Sequence, residues 1–269
     1  MMQLIQHTVT RWMGVVLASM PFNRMARTTE HNTTFYLKKR HSYGWLPRLI
    51  TNQIHTHFQV LSQREWFARE QHIYTQMYGK KATVEAGWLK LEALPGLSLD
   101  HILGNPHQPQ PTKFRALAAA IRALQHLHEH SGQRTNHAAN SFSHSDATIR
   151  NVTYDSHADQ SWWFDFETVH VASRPLVWCF ADDLRVLLYS AAPLLNKTEM
   201  EMLARLGVAI YPDVGVLRTL RQLAIQMRQR PDMFHFAQTR IDAQCNVLFS
   251  AILLRALNAV EHYDSPVSV

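Results

Sequence analysis

The sequence predicts an α+β fold in two lobes: a small N-terminal lobe with a sheet and one main helix, and a larger, mostly helical C-terminal lobe. Strand-like segments are confined to the first third of the chain and to one hairpin near residue 160, while helical periodicity dominates elsewhere. A Pro-Gly pair at 95–96 lies between the two regions. Segregated strands and helices are typical of α+β domains. We therefore expect lobes at residues 1–94 and 95–269.

The composition is that of a folded protein that favours anionic partners. Of its 269 residues, 46% are hydrophobic, which allows a sizeable core, and the net charge is +6. A positive surface favours nucleotides, phosphorylated sugars or anionic lipids. Cys179 and Cys245 are far apart in apolar segments, which is typical of buried thiols in a reducing compartment. Neither a His-Glu-x-x-His nor a Cys-x-x-Cys motif is present, which disfavours zinc.

An apolar run of nine residues, Trp12–Met20, follows Arg11 near the N-terminus. It is too short to span a bilayer, which requires about twenty residues. Ordinary packing against the domain is the favoured interpretation, while an export signal and an interfacial membrane helix stay open.

The N-terminal lobe has two strand patterns and one helix pattern. Residues 33–40 (TTFYLKKR) alternate in the manner of a strand, and Trp88–Glu92 forms a second strand-like run. Residues 63–78 place their apolar side chains on one helical face, and Gly79 follows as a C-terminal stop. Residues 41–63 are an irregular insertion.

The C-terminal lobe is predicted to be helical around one hairpin. Ser98 is expected to start a short helix that ends at Leu103. Two strands should flank the turn before Asp165. The remaining helical patterns cover Phe114–His130, Phe180–Ala192, Lys197–Leu206, Val216–Arg228 and a last helix from Ile241 to about Tyr263.

Three side chains around the hairpin carry the predicted chemistry. Asp146 lies in a tight loop, Asn151 follows five residues later, and Asp165 ends the second strand. Two carboxylates and an amide suit one proton acceptor and two oxygen ligands for a hard cation such as Mg²⁺. A surface hairpin with incidental polar residues is the alternative, since Asp and Asn are common in turns.

The pattern His144-Ser-Asp146-x4-Asn151, followed by Asp165-Phe-Glu167, resembles the catalytic and metal-binding loops of the protein-kinase-like superfamily. It is most similar to the atypical bacterial branch, which includes aminoglycoside and choline phosphotransferases and lipopolysaccharide-core (Kdo/heptose) kinases. The resemblance covers residues 33–190. It implies that Asp146 accepts or orients the proton of the acceptor hydroxyl, while Asn151 and Asp165 hold Mg²⁺ on the phosphates of ATP. It also implies a structural role for His144.

The same resemblance implies a lysine and a glutamate for the phosphates. Lys38 is favoured over Lys39 as the phosphate-binding lysine, and strand alternation places the two on opposite faces. Glu70 on the following helix is its expected partner, with Glu65 as second choice. Asp183, rather than Asp182, is expected to tie down the catalytic loop.

The segment Trp88–Leu99 resembles the hinge of the phosphotransferases. The resemblance implies that adenine meets the backbone carbonyl of Glu92 and the backbone N–H of Leu94, while Leu91 forms a wall of the pocket. A plain strand and turn would have the same local sequence.

Three departures from the family are evident. No Gly-x-Gly-x-x-Gly motif is present, and Gly14 is the only glycine before Gly44. No Ala-Pro-Glu segment follows Glu167, which disfavours a regulated protein kinase. The insertion carries Tyr43, Trp45 and Arg48, a set suited to an anionic or lipid acceptor.

We therefore predict an ATP- and Mg²⁺-dependent phosphotransferase that acts on a hydroxyl of a small-molecule or glycolipid acceptor, with a lipopolysaccharide-core sugar preferred. No nucleic-acid partner is expected. The expected location is cytoplasmic, with peripheral contact at an anionic membrane surface. A kinase-like binding or regulatory protein with weak or lost activity, and an enzyme that transfers AMP, are the alternatives.

Overall fold

A computed structural model describes residues 23–42, 57–132 and 142–261. The chain divides into two compact units: Met1–Pro95 with Phe164–Val171, and Gly96–Trp163 with Ala172–Val269. The first unit therefore includes the segment that directly follows the hairpin. The predicted class is confirmed, because the first unit is built on a small antiparallel sheet and the second is mostly helical.

The first unit contains a four-stranded antiparallel sheet in the order β1-β2-β5-β4. Its strands are β1 (Asn23–Glu30), β2 (Thr33–Arg40), β4 (Ala82–Glu85) and β5 (Trp88–Glu92). A separate antiparallel pair joins β3 (Phe58–Val60) to β9 (Thr168–His170). The register of β2 on β5 places Lys38 directly opposite Leu89, so these two side chains share one face of the sheet.

The single helix described in the first unit is α1 (Gln63–Tyr78), with the bounds that its pattern predicts. Ser62 and Glu65 form a reciprocal capping box at its start, and Gly79 ends it with φ 61°. Five buried side chains form the core between α1 and β5: Trp66, Phe67, Tyr74, Leu89 and Leu91. This packing determines which face of α1 is turned toward the sheet.

The second unit begins with a three-stranded sheet in the order β6-β7-β8. These strands are β6 (Leu97–Ser98), β7 (Val152–Asp155) and β8 (Gln160–Trp163). Gly96 precedes β6 with φ 86°, and a Cβ atom there would overlap the carbonyl group of Tyr154. Glycine is therefore required by both conformation and space.

The helices of the second unit surround α4, whose side chains are buried on nearly every side. Its sequence is mostly apolar, and its three charged side chains, Asp182, Asp183 and Arg185, make buried hydrogen bonds. In chain order, the helices are α2 (Leu99–Gly104), α3 (Gln110–Gly132), α4 (Leu176–Ala191), a 3₁₀ turn (Ala192–Leu194), α5 (Lys197–Ile210), α6 (Val214–Gln229), α7 (Met233–Thr239) and α8 (Ala243–Glu261). None of the helices in the described ranges is long and apolar enough to cross a bilayer.

Seven elements were not expected from the sequence: β1, β3, β4, β6, β9, α7 and the 3₁₀ turn. The side chains of β1 are almost all exposed, so no apolar alternation marks this strand, and only its pairing with β2 creates it. β3 and β9 have three residues each, and α7 has seven, which is too short for a periodic pattern. The run 12–20, Gly14 and the insertion residues Tyr43, Trp45 and Arg48 lie outside the described residues.

Candidate functional site

Lys38 lies at the centre of a buried charge cluster in the first unit. Its Nζ atom is 2.8 Å from Oε1 of Glu70 and 3.0 Å from Oδ1 of Asp165. We call these three side chains the Lys38 cluster. β2 supplies the lysine, α1 the glutamate and the segment after β8 the aspartate. The cluster thus joins three residues that the sequence predicts for phosphate and metal binding.

Glu70 is completely buried and accepts hydrogen bonds with both of its oxygens. Besides Lys38, its Oε1 accepts from the backbone N–H of Asp165 at 3.2 Å. Its Oε2 accepts from the indole N–H of Trp66 at 2.6 Å. Because every partner is a donor, the contacts suit an ionised carboxylate, which can only accept.

The charges of the Lys38 cluster are strongly coupled. Burial alone would lower the pKa of Lys38, but the negative charges of Asp165 and Glu70 outweigh burial and raise this pKa well above its ordinary value. Burial acts in the opposite sense on Glu70, raising the pKa of its carboxyl group against the effect of Lys38. Lys38 is therefore a permanent cation within the first unit.

The two rival residues have other contacts. Lys39 extends over the ring of Trp88, at 5.7 Å from the ring centroid, on the face of the sheet opposite to Lys38. Glu65 is occupied in the capping box of α1. The pairing of Lys38 with Glu70 is therefore the arrangement that the structure contains, while their role toward a nucleotide stays a prediction.

Glu167 forms a second polar group two residues after Asp165. Its Oε2 accepts from Nδ2 of Asn23 at 2.8 Å and lies 3.4 Å from Nη2 of Arg40. Burial, together with the negative charge of Asp165, raises the pKa of Glu167 to about 7 despite the opposing charge of Arg40. The sequence did not indicate Asn23 or Arg40 as partners of this carboxyl group.

Asp165 combines an unusual backbone conformation with a partly exposed side chain. Its backbone adopts φ 69°, in the left-handed region that non-glycine residues seldom occupy. Such conformations cost about 1–3 kcal/mol and concentrate at functional sites. Its side chain is 30% exposed, in contrast to its buried partners Lys38 and Glu70. Its role as a metal ligand stays a prediction.

The predicted hinge residues lie at the end of β5 and just beyond. Leu91 is 1% exposed and belongs to the core against α1, and Leu94 packs on the same core. The carboxylate of Glu92 accepts from Nζ of Lys80 at 2.7 Å, while its backbone N–H donates to the Lys81 carbonyl. The roles of Leu91, Glu92 and Leu94 toward adenine stay predictions.

In the second unit, Asp183 holds the loop that carries Asp146. Its two carboxylate oxygens accept from the backbone N–H groups of His144 and Ser145, each at 2.6 Å. Ser145 adopts φ 61°, so these bonds hold the loop in a strained conformation. The expectation that Asp183 ties down this loop is confirmed. Consistent with a structural role, His144 is fully buried against the ring of Trp163.

Asp183 also contacts His128, which in turn contacts Tyr211. Nε2 of His128 lies 3.0 Å from its Oδ2, and Nδ1 of His128 lies 2.5 Å from the hydroxyl of Tyr211. A carboxylate only accepts, so Nε2–H of His128 donates to Asp183; in neutral His128, Nδ1 then accepts from the hydroxyl of Tyr211. Burial, followed by the charge of Asp183, raises the pKa of Tyr211. The hydroxyl group of Tyr211 therefore keeps its proton.

Asp146 is fixed by two amide side chains. Nδ2 of Asn151 donates to Oδ2 of Asp146 at 2.9 Å and to its backbone carbonyl at 2.8 Å. Nε2 of Gln238 donates to Oδ1 at 3.0 Å. Because Asn151 uses its NH₂ group for these bonds, its amide oxygen is the atom that could serve as a metal ligand. Sequence reasoning missed Gln238, which is 92 positions away on α7.

A further buried chain of polar groups holds α7. Nε of Arg185 donates to Asp182 at 2.8 Å, and its Nη1 lies 2.7 Å from Nδ1 of His235. Nε2 of His235 lies 3.0 Å from Oδ1 of Asn246, whose Nδ2 donates to the Met227 carbonyl. The sequence feature that could have indicated this chain is the presence of Asp182 and Arg185, three residues apart in a mostly apolar helix.

No group of three or more His, Cys, Asp or Glu side chains that could hold a metal occurs among the described residues. The candidate donors are instead the carboxylate of Asp165 in the first unit and the amide oxygen of Asn151 in the second. Both are hard oxygen ligands of the kind that Mg²⁺ takes, usually one or two from the protein together with substrate phosphates. Each donor by itself suits Mg²⁺, and their joint use as ligands stays a prediction.

Comparison with known proteins identifies no family. No protein-family model and no curated protein matches the chain in sequence. Among solved structures, the chain is similar to an ethanolamine kinase from Plasmodium vivax, with a TM-score of 0.45 and 12% identity over 88% of this chain and 79% of the other. At that score the likeness does not assign a function.

Proposed function

We propose that the chain is an ATP- and Mg²⁺-dependent phosphotransferase that moves the γ-phosphate of ATP to a hydroxyl group of a non-protein acceptor. The observation that carries the proposal is the Lys38 cluster. A buried lysine is held charged by one fully buried carboxylate, Glu70, and also contacts Asp165, which is partly exposed. Phosphoryl transfer depends on positioning and on neutralising phosphate charge, and this cluster supplies a fixed cation for that purpose.

Each predicted residue has one role in the proposed reaction. Lys38, oriented by Glu70, binds phosphate oxygens of ATP. Bound Mg²⁺ would neutralise charge on those oxygens, with Asp165 and the amide oxygen of Asn151 as its protein ligands. Asp146 accepts the proton of the acceptor hydroxyl as that oxygen bonds to the γ-phosphorus. The bond between the γ-phosphorus and the bridging oxygen breaks, and ADP leaves.

The hinge is proposed to bind the adenine base. The backbone carbonyl of Glu92 and the backbone N–H of Leu94 would meet its polar edge, and Leu91 would contribute apolar surface. This assignment rests on the similarity of the segment to phosphotransferase hinges. The contact of Glu92 with Lys80 turns its side chain away from this task, which needs only backbone atoms.

The acceptor is proposed to be a sugar of a lipopolysaccharide core or a related glycolipid. Two cations support an acceptor with anionic groups: Arg150 lies in the loop of Asp146, and Arg240 follows α7. Burial, followed by the positive charge of Arg240, lowers the pKa of Arg150, while the negative charge of Asp146 opposes this effect. The net charge of +6 points the same way. Peripheral contact with an anionic membrane surface at a cytoplasmic location is a further part of this proposal.

Two alternative functions can be told apart by their products or by the lack of any. An AMP transferase would release pyrophosphate and leave adenylylated acceptor, whereas a kinase releases ADP. A binding or regulatory protein would take up Mg-ATP without turnover. The contacts of Asp146 with Asn151 and Gln238 favour an enzyme, because a fixed carboxylate at this place has no use in binding ATP alone.

The test is a turnover assay with ATP, Mg²⁺ and a panel of phosphorylated and unphosphorylated core glycolipids, read by ADP formation and by mass spectrometry of the acceptor. We expect a mass gain of one phosphate in the acceptor, and a loss of at least a hundredfold in rate for Asp146→Ala. Asp155→Ala, on strand β7 of the same hairpin, is the matched control and should keep the wild-type rate. Turnover that survives Asp146→Ala would sink the assignment, and an adenylylated product would replace it with AMP transfer.

A further inference from the structure

Gln238 is a buried polar side chain that reaches the carboxylate of Asp146 from α7, outside the loop that carries this aspartate. It is 7% exposed, and Nε2 donates both to Oδ1 of Asp146 at 3.0 Å and to the Ser145 carbonyl at 3.2 Å. Both protons of its NH₂ group are thus directed at the loop. Asn151 donates to the other carboxylate oxygen. The two amides together hold the plane of the carboxylate.

The backbone of Gln238 is tied to the same loop. Nη2 of Arg150 donates to the Gln238 carbonyl at 3.0 Å. The end of α7 and the loop are therefore joined by hydrogen bonds in both directions, from the glutamine to residues 145 and 146 and from Arg150 back to the glutamine.

The position of α7 is set by buried contacts at its other end. A helix of seven residues is not stable by itself. His235, which is 2% exposed, bonds to Arg185 on α4 and to Asn246 on α8. Asp182 in turn fixes Arg185. The chain of contacts from Asp182 to His235 thus determines where Gln238 lies.

We infer that Gln238 is a positioning residue that orients the carboxylate of Asp146 toward the acceptor hydroxyl, an inference that rests on the proposed function. A carboxylate has about four acceptor positions, and the two amides occupy one on each oxygen. The remaining positions are then held in one orientation for the incoming proton. Because an amide is neutral, it holds the carboxylate without cancelling its charge. Orientation of this kind contributes to kcat, since productive geometry depends on shifts below 1 Å.

The kinetic test uses two variants of Gln238 in the full-length chain. Gln238→Met loses both polar groups, and Gln238→Glu keeps the shape but sets a second carboxyl group against that of Asp146, so that the two repel or share a proton. We expect both to lower kcat about tenfold, as for the loss of one hydrogen bond in the transition state, with KM for ATP within twofold of wild type. In the Asp146→Ala background, Gln238→Met should cause no further loss, because the two residues act as a unit.

The control is Gln222→Met, an exposed position on α6, which should keep the wild-type kcat. A merely structural role for Gln238 would lower the folded fraction or the thermal midpoint and would leave additive losses in the double variant. Wild-type kcat in folded Gln238→Met and Gln238→Glu would overturn the inference, and so would additive losses.

A second measurement does not depend on turnover. The side-chain amide resonances of Gln238, assigned by their disappearance in Gln238→Met, should shift when Asp146 is changed to Asn. Unchanged resonances in Asp146→Asn would overturn the inference. If the wild type makes no ADP with any acceptor, the proposed function fails, and the NMR result alone then decides whether Gln238 orients Asp146.

Discussion

Asp182 and Asp183 are adjacent on α4, and each holds a different structure next to Asp146. Asp183 accepts from the backbone of the loop at His144 and Ser145. Asp182 accepts from Arg185, which leads through His235 to α7. One buried turn of helix therefore sets both the loop that carries Asp146 and the helix that carries its amide partner.

The Lys38 cluster should dominate the stability of the first unit. Replacing Lys38 by Met leaves the fully buried carboxylate of Glu70 without its cation, and the free energy of unfolding should fall by about 3 kcal/mol. Lys39→Met is the matched control, because Lys39 lies over Trp88 on the other face, and it should cost less than about 1 kcal/mol. Urea unfolding measures the free energy of unfolding of both variants. Equal losses in Lys38→Met and Lys39→Met would contradict the stabilising role of the Lys38 cluster.

Asp183 should be more sensitive to loss of charge than an ordinary helix cap. Asp183→Asn removes the ionised acceptor of two backbone N–H groups and of His128, and should lower the free energy of unfolding by about 2–3 kcal/mol. Asp213→Asn, at the start of α6, is the control, since Asn caps a helix as well as Asp. The thermal midpoint of Asp183→Asn should therefore lie clearly below that of Asp213→Asn. Similar midpoints would argue against Asp183 as the residue that holds the loop.

Acid should destabilise the protein through His235. Burial, with the charge of Arg185, lowers the pKa of His235 to about 4, below the value of about 6.5 expected in the unfolded chain. Its contribution to stability is therefore complete above pH 6.5 and is lost as the pH falls toward 4, by about 2 kcal/mol at pH 5. Urea unfolding at pH 7.5 and pH 5 should show a steeper loss for wild type than for His235→Gln. The same pH dependence in both proteins would refute this role.

Two glycines with positive φ should respond differently to alanine. Gly79 has φ 61° with open space around a Cβ atom, so Gly79→Ala should cost about 1 kcal/mol. Gly96 has φ 86°, and its Cβ would overlap the Tyr154 carbonyl, so Gly96→Ala should cost about 3 kcal/mol or more. Chemical denaturation measures both variants, and a smaller loss at Gly96 than at Gly79 would be inconsistent with this turn.

Local sequence was sufficient for helix α1 and for the choice between Asp182 and Asp183. The bounds of α1 follow from the Ser62 cap, one apolar face and Gly79, all of which act within a few residues. The leucines after Asp183 indicate the core side of α4, and this pattern favoured Asp183, which is completely buried, as the anchor of the loop. Strand β1 could not be predicted in this way. Its exposed side chains show no apolar alternation, and its strand conformation depends on pairing with β2.

The sequence by itself determined the α+β class, helix α1, the loop with Asp146 and Asn151, and the placement of Lys38 and Lys39 on opposite faces, because these depend on short-range periodicity and spacing. Only the tertiary structure decided that Lys38 is the residue facing Glu70, and that Gln238 reaches Asp146 across 92 positions of chain. Contacts of this kind depend on how separate elements pack against one another. A single polar residue that such packing brings to a site has no sequence pattern around it that would indicate its partner.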